Sequence, residues 1–208
     1  MLRKKIKNIL LLLIIILGFT LAIIDVSEDI IRKANEKEQI KSYINNENYV
    51  VNENTNNKIN DSNKYMGVLE IPEIKLLRGF YSLDSKYNDV SSNVEILNPY
   101  VALDKKDSLV IFAAHSGNSK VSYFKNLDKL KENDIVKIYY KKKLYIYKII
   151  RCIESNKNGT INLNNISLAN KVVLTTCKNG KVSKQFTCIS NFVLRKDYWL
   201  VWVIIKKN

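Results

Sequence analysis

Residues 171–177 read KVVLTTC and residues 109–115 read LVIFAAH, two short apolar runs that each end on a side chain able to do chemistry. Runs of this length, rich in Val, Ile and aromatic residues and closed by turn-forming residues, predict β-strands. The same reading extends to both sides. GVLEIPEIKL at 67–76, DIVKIYY at 134–140, KLYIYKIIRCI at 143–153 and KQFTCISNFVLR at 184–195 are further strand candidates. The lysine run 141–143 marks a hairpin turn between two of them, and VSYFKNLDKL at 121–130 predicts a short helix. Pro72 interrupts the first run, which implies an edge strand or a bulge there. YWLVWVII at 198–205 is too short to span a bilayer alone and reads as a last strand or an interfacial end. The expected fold is mostly β, an antiparallel barrel with few helices.

His115, the only histidine, is followed by the turn residues Ser116, Gly117 and Asn118, which places its ring at a barrel rim. The ordinary alternative is a half-buried histidine hydrogen-bonded at a strand end. Cys177 is followed by Lys178, Asn179 and Gly180, and a cysteine at a rim beside a lysine is placed to have its thiolate stabilised. Cys152 sits mid-strand, where a structural cysteine belongs. A Cys/His pair is the minimum for acyl transfer, since the thiolate attacks a carbonyl and the imidazolium protonates the leaving amine. Cys188 shares the terminal hairpin with Cys177 and could bridge to it; the expectation is a buried free thiol. One histidine rules out a Cys/His zinc site at the usual spacings. Glu70, Glu73 and Asp134 show no calcium-ligand spacing. No metal and no cofactor are expected.

The N-terminus carries a different signal. ILLLLIIILGFTLAII, residues 9–24, is free of charge and follows the basic stretch RKKIK. Its 16 residues would span roughly 24 Å as a helix, against about 30 Å of bilayer hydrocarbon, and Lys7 and Val26 extend its reach. It is longer than a signal-peptide core and lacks a small-x-small site after Ala22, so an uncleaved anchor is expected rather than a cleaved leader. The basic flank, 1–8, is expected to stay in the cytoplasm, with 9–26 spanning the membrane and the rest outside. From Ser27, read as a helix cap, an exposed helix continues to Ile44. Residues 45–63 hold nine asparagines and read as a polar tether, so 27–64 links the anchor to a folded domain at 65–208. A chain of 208 residues leaves room for one such domain. The net charge of +14 includes four N-terminal basic residues and leaves +10 elsewhere. That balance suits acidic lipid or an anionic wall polymer, and the expected topology excludes nucleic acid.

LTTC at 174–177 resembles the cysteine strand of the sortases, the transpeptidases of Gram-positive cell walls. AAHSGN at 113–118 is similar to their histidine strand end, GVLEIPEIKL to their first barrel strand, and FKNLDKL to their short helix. The resemblance covers residues 65–195, and the anchor and tether match the family layout. It implies a single closed eight-stranded β barrel that takes an LPxTG-like sorting signal of secreted surface proteins. The signal would be cleaved through a thioester and passed to an amine of peptidoglycan or a pilin. On this resemblance Cys177 is the nucleophile and His115 the general acid/base. Thr176 falls at a family position whose backbone or side chain helps hold the oxyanion. The family's arginine position falls on Gln185, a hydrogen-bond donor without charge, while Arg195 lies roughly 33 Å further along an extended strand. No Asp-Pro-aromatic lid segment precedes the barrel, which argues against a pilin polymerase. Two other readings share these residues: a catalytically silent, membrane-tethered binding module, and a cysteine endopeptidase that releases its product to water.

Overall fold

In the computed structural model, residues 2–45, 64–97, 103, 108–161, 170–178 and 181–197 are described. From Leu2 onward the N-terminal unit, Met1–Lys41, belongs to one continuous helix, α1 (Leu2–Ile44). Its apolar stretch is open to the surroundings on all sides; Ile9, Leu17 and Phe19 are each more than half exposed. One helix is therefore long and apolar enough to cross a membrane. Ser27 does not cap a new helix. Its hydroxyl donates to the Ile24 carbonyl within the turn, at 2.8 Å, and α1 runs through it. Beyond the apolar stretch the helix is held by local charge pairs: Asp29 contacts Arg32 at 2.6 Å and Lys33 at 2.7 Å. The bonds from Lys33 and then Arg32 lower the Asp29 pKa to about 2.

The second unit contains eight strands: β1 (Gly67–Ile71), β2 (Leu76–Phe80), β3 (Glu95–Ile96), β4 (Leu109–Ala113), β5 (Ile135–Tyr140), β6 (Lys143–Asn156), β7 (Lys171–Lys178) and β8 (Lys181–Asp197). They form one sheet in the order β2-β1-β5-β6-β8-β7-β4-β3, which curls into a nearly closed barrel. All neighbours are antiparallel except β4 and β7, which run parallel. Between β2 and the approach to β3 the seam is made by side chains. Arg78 Nε donates to Asn93 Oδ1 at 2.7 Å, and buried Asn93 donates to the Gly79 carbonyl at 3.0 Å.

Local chemistry explains where the sequence and structure part. The run 67–76 is two strands rather than one, because Pro72 opens a 3-10 turn (Pro72–Ile74) that Lys75 closes in the left-handed region at φ 53°. β1 then pairs on both sides, with β2 and β5, so it is no edge. Gly67 is required there, since a Cβ would lie 2.3 Å from the Phe80 ring. The β5/β6 hairpin turns on Lys141 and Lys142, both at positive φ (45° and 59°), the signature of a type I′ turn that matches strand twist. Of the helix expected over 121–130, only a 3-10 turn at Leu127–Lys129 forms. The middle of β7, Val172 to Thr176, is buried on both faces, which accounts for its unbroken apolar run. The tether 46–63 and the segment 198–205 lie outside the described residues.

Candidate active site

β4 and β7 lie in parallel register from Leu109↔Lys171 to Ala113↔Thr175. Neighbouring strands are about 4.8 Å apart. Carrying that register two residues further sets His115 alongside Cys177. The continuation is held by contacts of its own. Ala114 N reaches the Thr175 carbonyl at 3.4 Å, and the Thr176 hydroxyl donates to the Ala114 carbonyl at 2.6 Å. The Ser116 hydroxyl donates to the Cys177 carbonyl. Phe124 N fixes the His115 carbonyl at 2.9 Å from across the following loop. His115 is exposed and Cys177 half-buried, so both can be reached from solvent.

The environment of each group can be traced. Asp89 stands within electrostatic reach of His115. Its carboxyl is held below the usual range first by the Ser91 hydroxyl and backbone N–H, with the charge of His115 adding to the effect. Lys178, expected to stabilise the thiolate of Cys177, places its ammonium against two other side chains. It meets Asp128 at 3.3 Å and lies 5.0 Å from the Phe186 ring centre. These three side chains, with Ser116, Phe124 and Cys177, line a small pocket.

Gln185 sits directly opposite Cys177 across the β7/β8 ladder. Opposed residues of an antiparallel pair share a face, so the two side chains project the same way. Gln185 is buried, and its amide nitrogen donates to the Thr160 carbonyl at 2.7 Å. Arg195 is exposed at the far end of β8, opposite Tyr145 of β6, and takes no part in the site. The hydroxyl proton of Thr176 is engaged by the Ala114 carbonyl, so its side chain has no donor left for an oxyanion.

The cysteines depart from expectation. Cys188 is not a free thiol; it forms a disulfide with Cys152. The two residues face each other across the β6/β8 ladder with Cα atoms 4.1 Å apart. β6 and β8 are separated in sequence by β7, so nothing in the spacing of the cysteines announces that pairing. Cys177 is the free cysteine among the described residues. Glu70, weighed as a calcium ligand, instead accepts from Lys137 at 2.9 Å and Tyr139 at 2.6 Å. The Tyr139 hydroxyl is pushed above the usual phenol range by burial and then by that carboxylate. No cluster of metal-ligating side chains occurs among the described residues. Ser116 and Asp128 were not singled out by sequence. Ser116 reads there only as a turn residue, and Asp128 as one charge on a helix.

Residues 69–189 match the family model described as Sortase domain. Among solved structures, sortase C-3 of Streptococcus pneumoniae superposes at a TM-score of 0.59 with 16% identity, covering 79% of this chain and 84% of that one. Sortase E1 of Streptomyces coelicolor gives 0.55 and 16%, covering 65% and 92%. Sortase A of Listeria monocytogenes gives 0.54 and 14%, covering 64% and 90%. No curated protein matches in sequence.

Proposed function

Because the chain belongs to the sortase family of cysteine transpeptidases, we propose that Cys177 is its nucleophile and His115 its general acid/base. The observation that carries this reading is the pairing of strand ends. The one free cysteine of the described residues and the one histidine each lie two residues beyond the last β4/β7 pair, the cysteine half-buried and the histidine exposed. The substrate is a sorting-signal peptide of the LPxTG kind on a secreted protein. The Cys177 thiolate attacks the threonine carbonyl, and the backbone C–N bond breaks as the His115 imidazolium gives its proton to the leaving amine. The product is a thioester on Cys177 and a neutral imidazole. An acceptor amine of peptidoglycan or a pilin, deprotonated by solvent, then attacks the thioester. A C–N bond forms, the C–S bond breaks, and the excess proton of the new amide nitrogen passes to His115. Thiolate and imidazolium are restored.

Thr176 spends its hydroxyl on the Ala114 carbonyl and offers the oxyanion no side-chain donor. Gln185 occupies the place of the family arginine and supplies a hydrogen bond without charge. The helix α1 anchors the enzyme, and the basic residues before Ile9 favour a cytoplasmic N-terminus with the barrel outside. The test uses the full chain in detergent with a Leu-Pro-x-Thr-Gly peptide and an amine acceptor, followed by mass spectrometry of the products. The expected product is the peptide cut after threonine and joined to the acceptor. Cleavage to the free acid in spite of acceptor supports the endopeptidase reading, and intact peptide supports the silent binding module.

A further inference from the structure

The β4/β7 ladder stops at Ala113↔Thr175, one residue short of Thr176 and two short of the proposed reacting pair. The last backbone contact beyond it, Ala114 N to Thr175 O, is long at 3.4 Å, so backbone pairing grips weakly where alignment matters most. Two side chains take over. Thr176 on β7 donates to the Ala114 carbonyl on the β4 side, and Ser116 on the β4 side donates to the Cys177 carbonyl on β7. Each strand end gives one hydroxyl and receives one, and both hydroxyl residues are buried (6% and 7% exposed). Along the chain, His115 lies between Ala114, which accepts one of these bonds, and Ser116, which donates the other. The carbonyl of Cys177 is itself one of the gripped atoms.

We propose that Ser116, reciprocated by Thr176, is a positioning residue that locks Cys177 and His115 at reacting separation without touching substrate. This inference rests on the reading of Cys177 and His115 as the reacting pair. Small displacements of reacting groups cost heavily in rate, about 100-fold for an ångström. A hydroxyl clasp at the ladder's loose end therefore acts on the chemical step more than on the fold. Ser190 supplies a matched comparison. It is buried on β8 and donates to the Val172 carbonyl of β7 at 2.8 Å, the same kind of bond, about 17 Å up the strand from Cys177.

The test measures alkylation of Cys177 by iodoacetamide at about pH 6 in the full chain in detergent, with thermal melting alongside. A free cysteine outside the disulfide makes the readout specific to one thiol, and it needs no knowledge of the substrate. His115→Ala sets the rate of an unpartnered thiol. Ser116→Ala is expected to slow alkylation about 10-fold, towards that rate, while Ser116→Thr, which keeps the hydroxyl, retains most of the wild-type rate. Ser190→Ala is expected to lower the melting temperature about as much as Ser116→Ala and leave alkylation unchanged. If Ser116→Ala does not fold, Thr176→Val breaks the other half of the clasp and carries the same expectation. A His115→Ala enzyme that alkylates at the wild-type rate overturns the pairing of Cys177 with His115, and the clasp with it. A slow His115→Ala enzyme beside wild-type rates for Ser116→Ala and Thr176→Val overturns the clasp alone.

Discussion

On the proposed reading Gln185 has two jobs for one amide group. It faces the same way as Cys177, where the family reading needs a donor, and its nitrogen is bonded to Thr160. One N–H of the amide remains for substrate. Gln185→Ala is expected to lower turnover about 100-fold, the usual effect of losing one preorganised donor. It should also cost about 1 kcal/mol of stability, because the Thr160 carbonyl loses its partner. Gln185→Arg keeps a donor for Thr160 and adds charge where the oxyanion forms, so activity is expected to hold or rise. Arg195→Ala is expected to change neither. Steady-state kinetics and thermal melts on the three variants check this, and an essential Arg195 would contradict the placement. The family pattern laid on the sequence brought out Gln185, but its place opposite Cys177 was not legible, because the β7/β8 register shifts between Cys177 and Lys178. Its bond to Thr160 was not legible, since the 160s belong to a connection with no strand pattern. The same limit hid Ser116: a serine after a histidine reads as a turn, and only the neighbouring strand reveals that its hydroxyl has a carbonyl to meet.

The β6/β8 pair is the longest contact in the barrel, and the Cys152–Cys188 disulfide crosses it. Closing a loop of this separation, 36 residues, stabilises a domain by about 2–4 kcal/mol. The expected outcome is an unreduced protein that takes one alkyl group under denaturing conditions and three after reduction, with a lower melting temperature when reduced. Three alkyl groups without reductant would contradict the pairing. The β5/β6 turn offers a second element-scale expectation. Lys141 and Lys142 hold positive φ, which side chains resist and glycine accepts. Lys142→Gly is expected to stabilise the barrel by about 0.5–1 kcal/mol without touching the site, as chemical denaturation would show. Apolar runs marked β4 to β8, but the run at 67–76 hid two strands, β3 had no run of its own, and strand ends were not readable. β6 and β8 both run longer than their apolar cores because hydrogen bonding continues into polar residues such as Ser155 and Lys184.

At the scale of the molecule, the chain joins an exposed apolar helix long enough to cross a membrane to a β barrel of the sortase family. The helix runs unbroken through the position where a cap was expected, since Ser27 can satisfy its hydroxyl inside the turn. With the basic flank inside, protease added to intact protoplasts is expected to degrade the barrel and spare the first few residues. A protected barrel would reverse the orientation. The parallel β4/β7 pair is the one non-antiparallel joint in the sheet, and it sets the histidine and cysteine ends on the same side. The sequence reading expected an antiparallel barrel and did not supply that joint, because apolar runs carry no strand direction. The central claim is that Cys177 becomes acylated by a sorting signal. Its most direct test is mass spectrometry of the full chain incubated with a Leu-Pro-x-Thr-Gly peptide and quenched in acid, then mapped by proteolysis. The account predicts an acyl group on the fragment containing Cys177, cleavable by hydroxylamine and absent from Cys177→Ala. An acyl group on any other residue, or one that persists in Cys177→Ala, would contradict it.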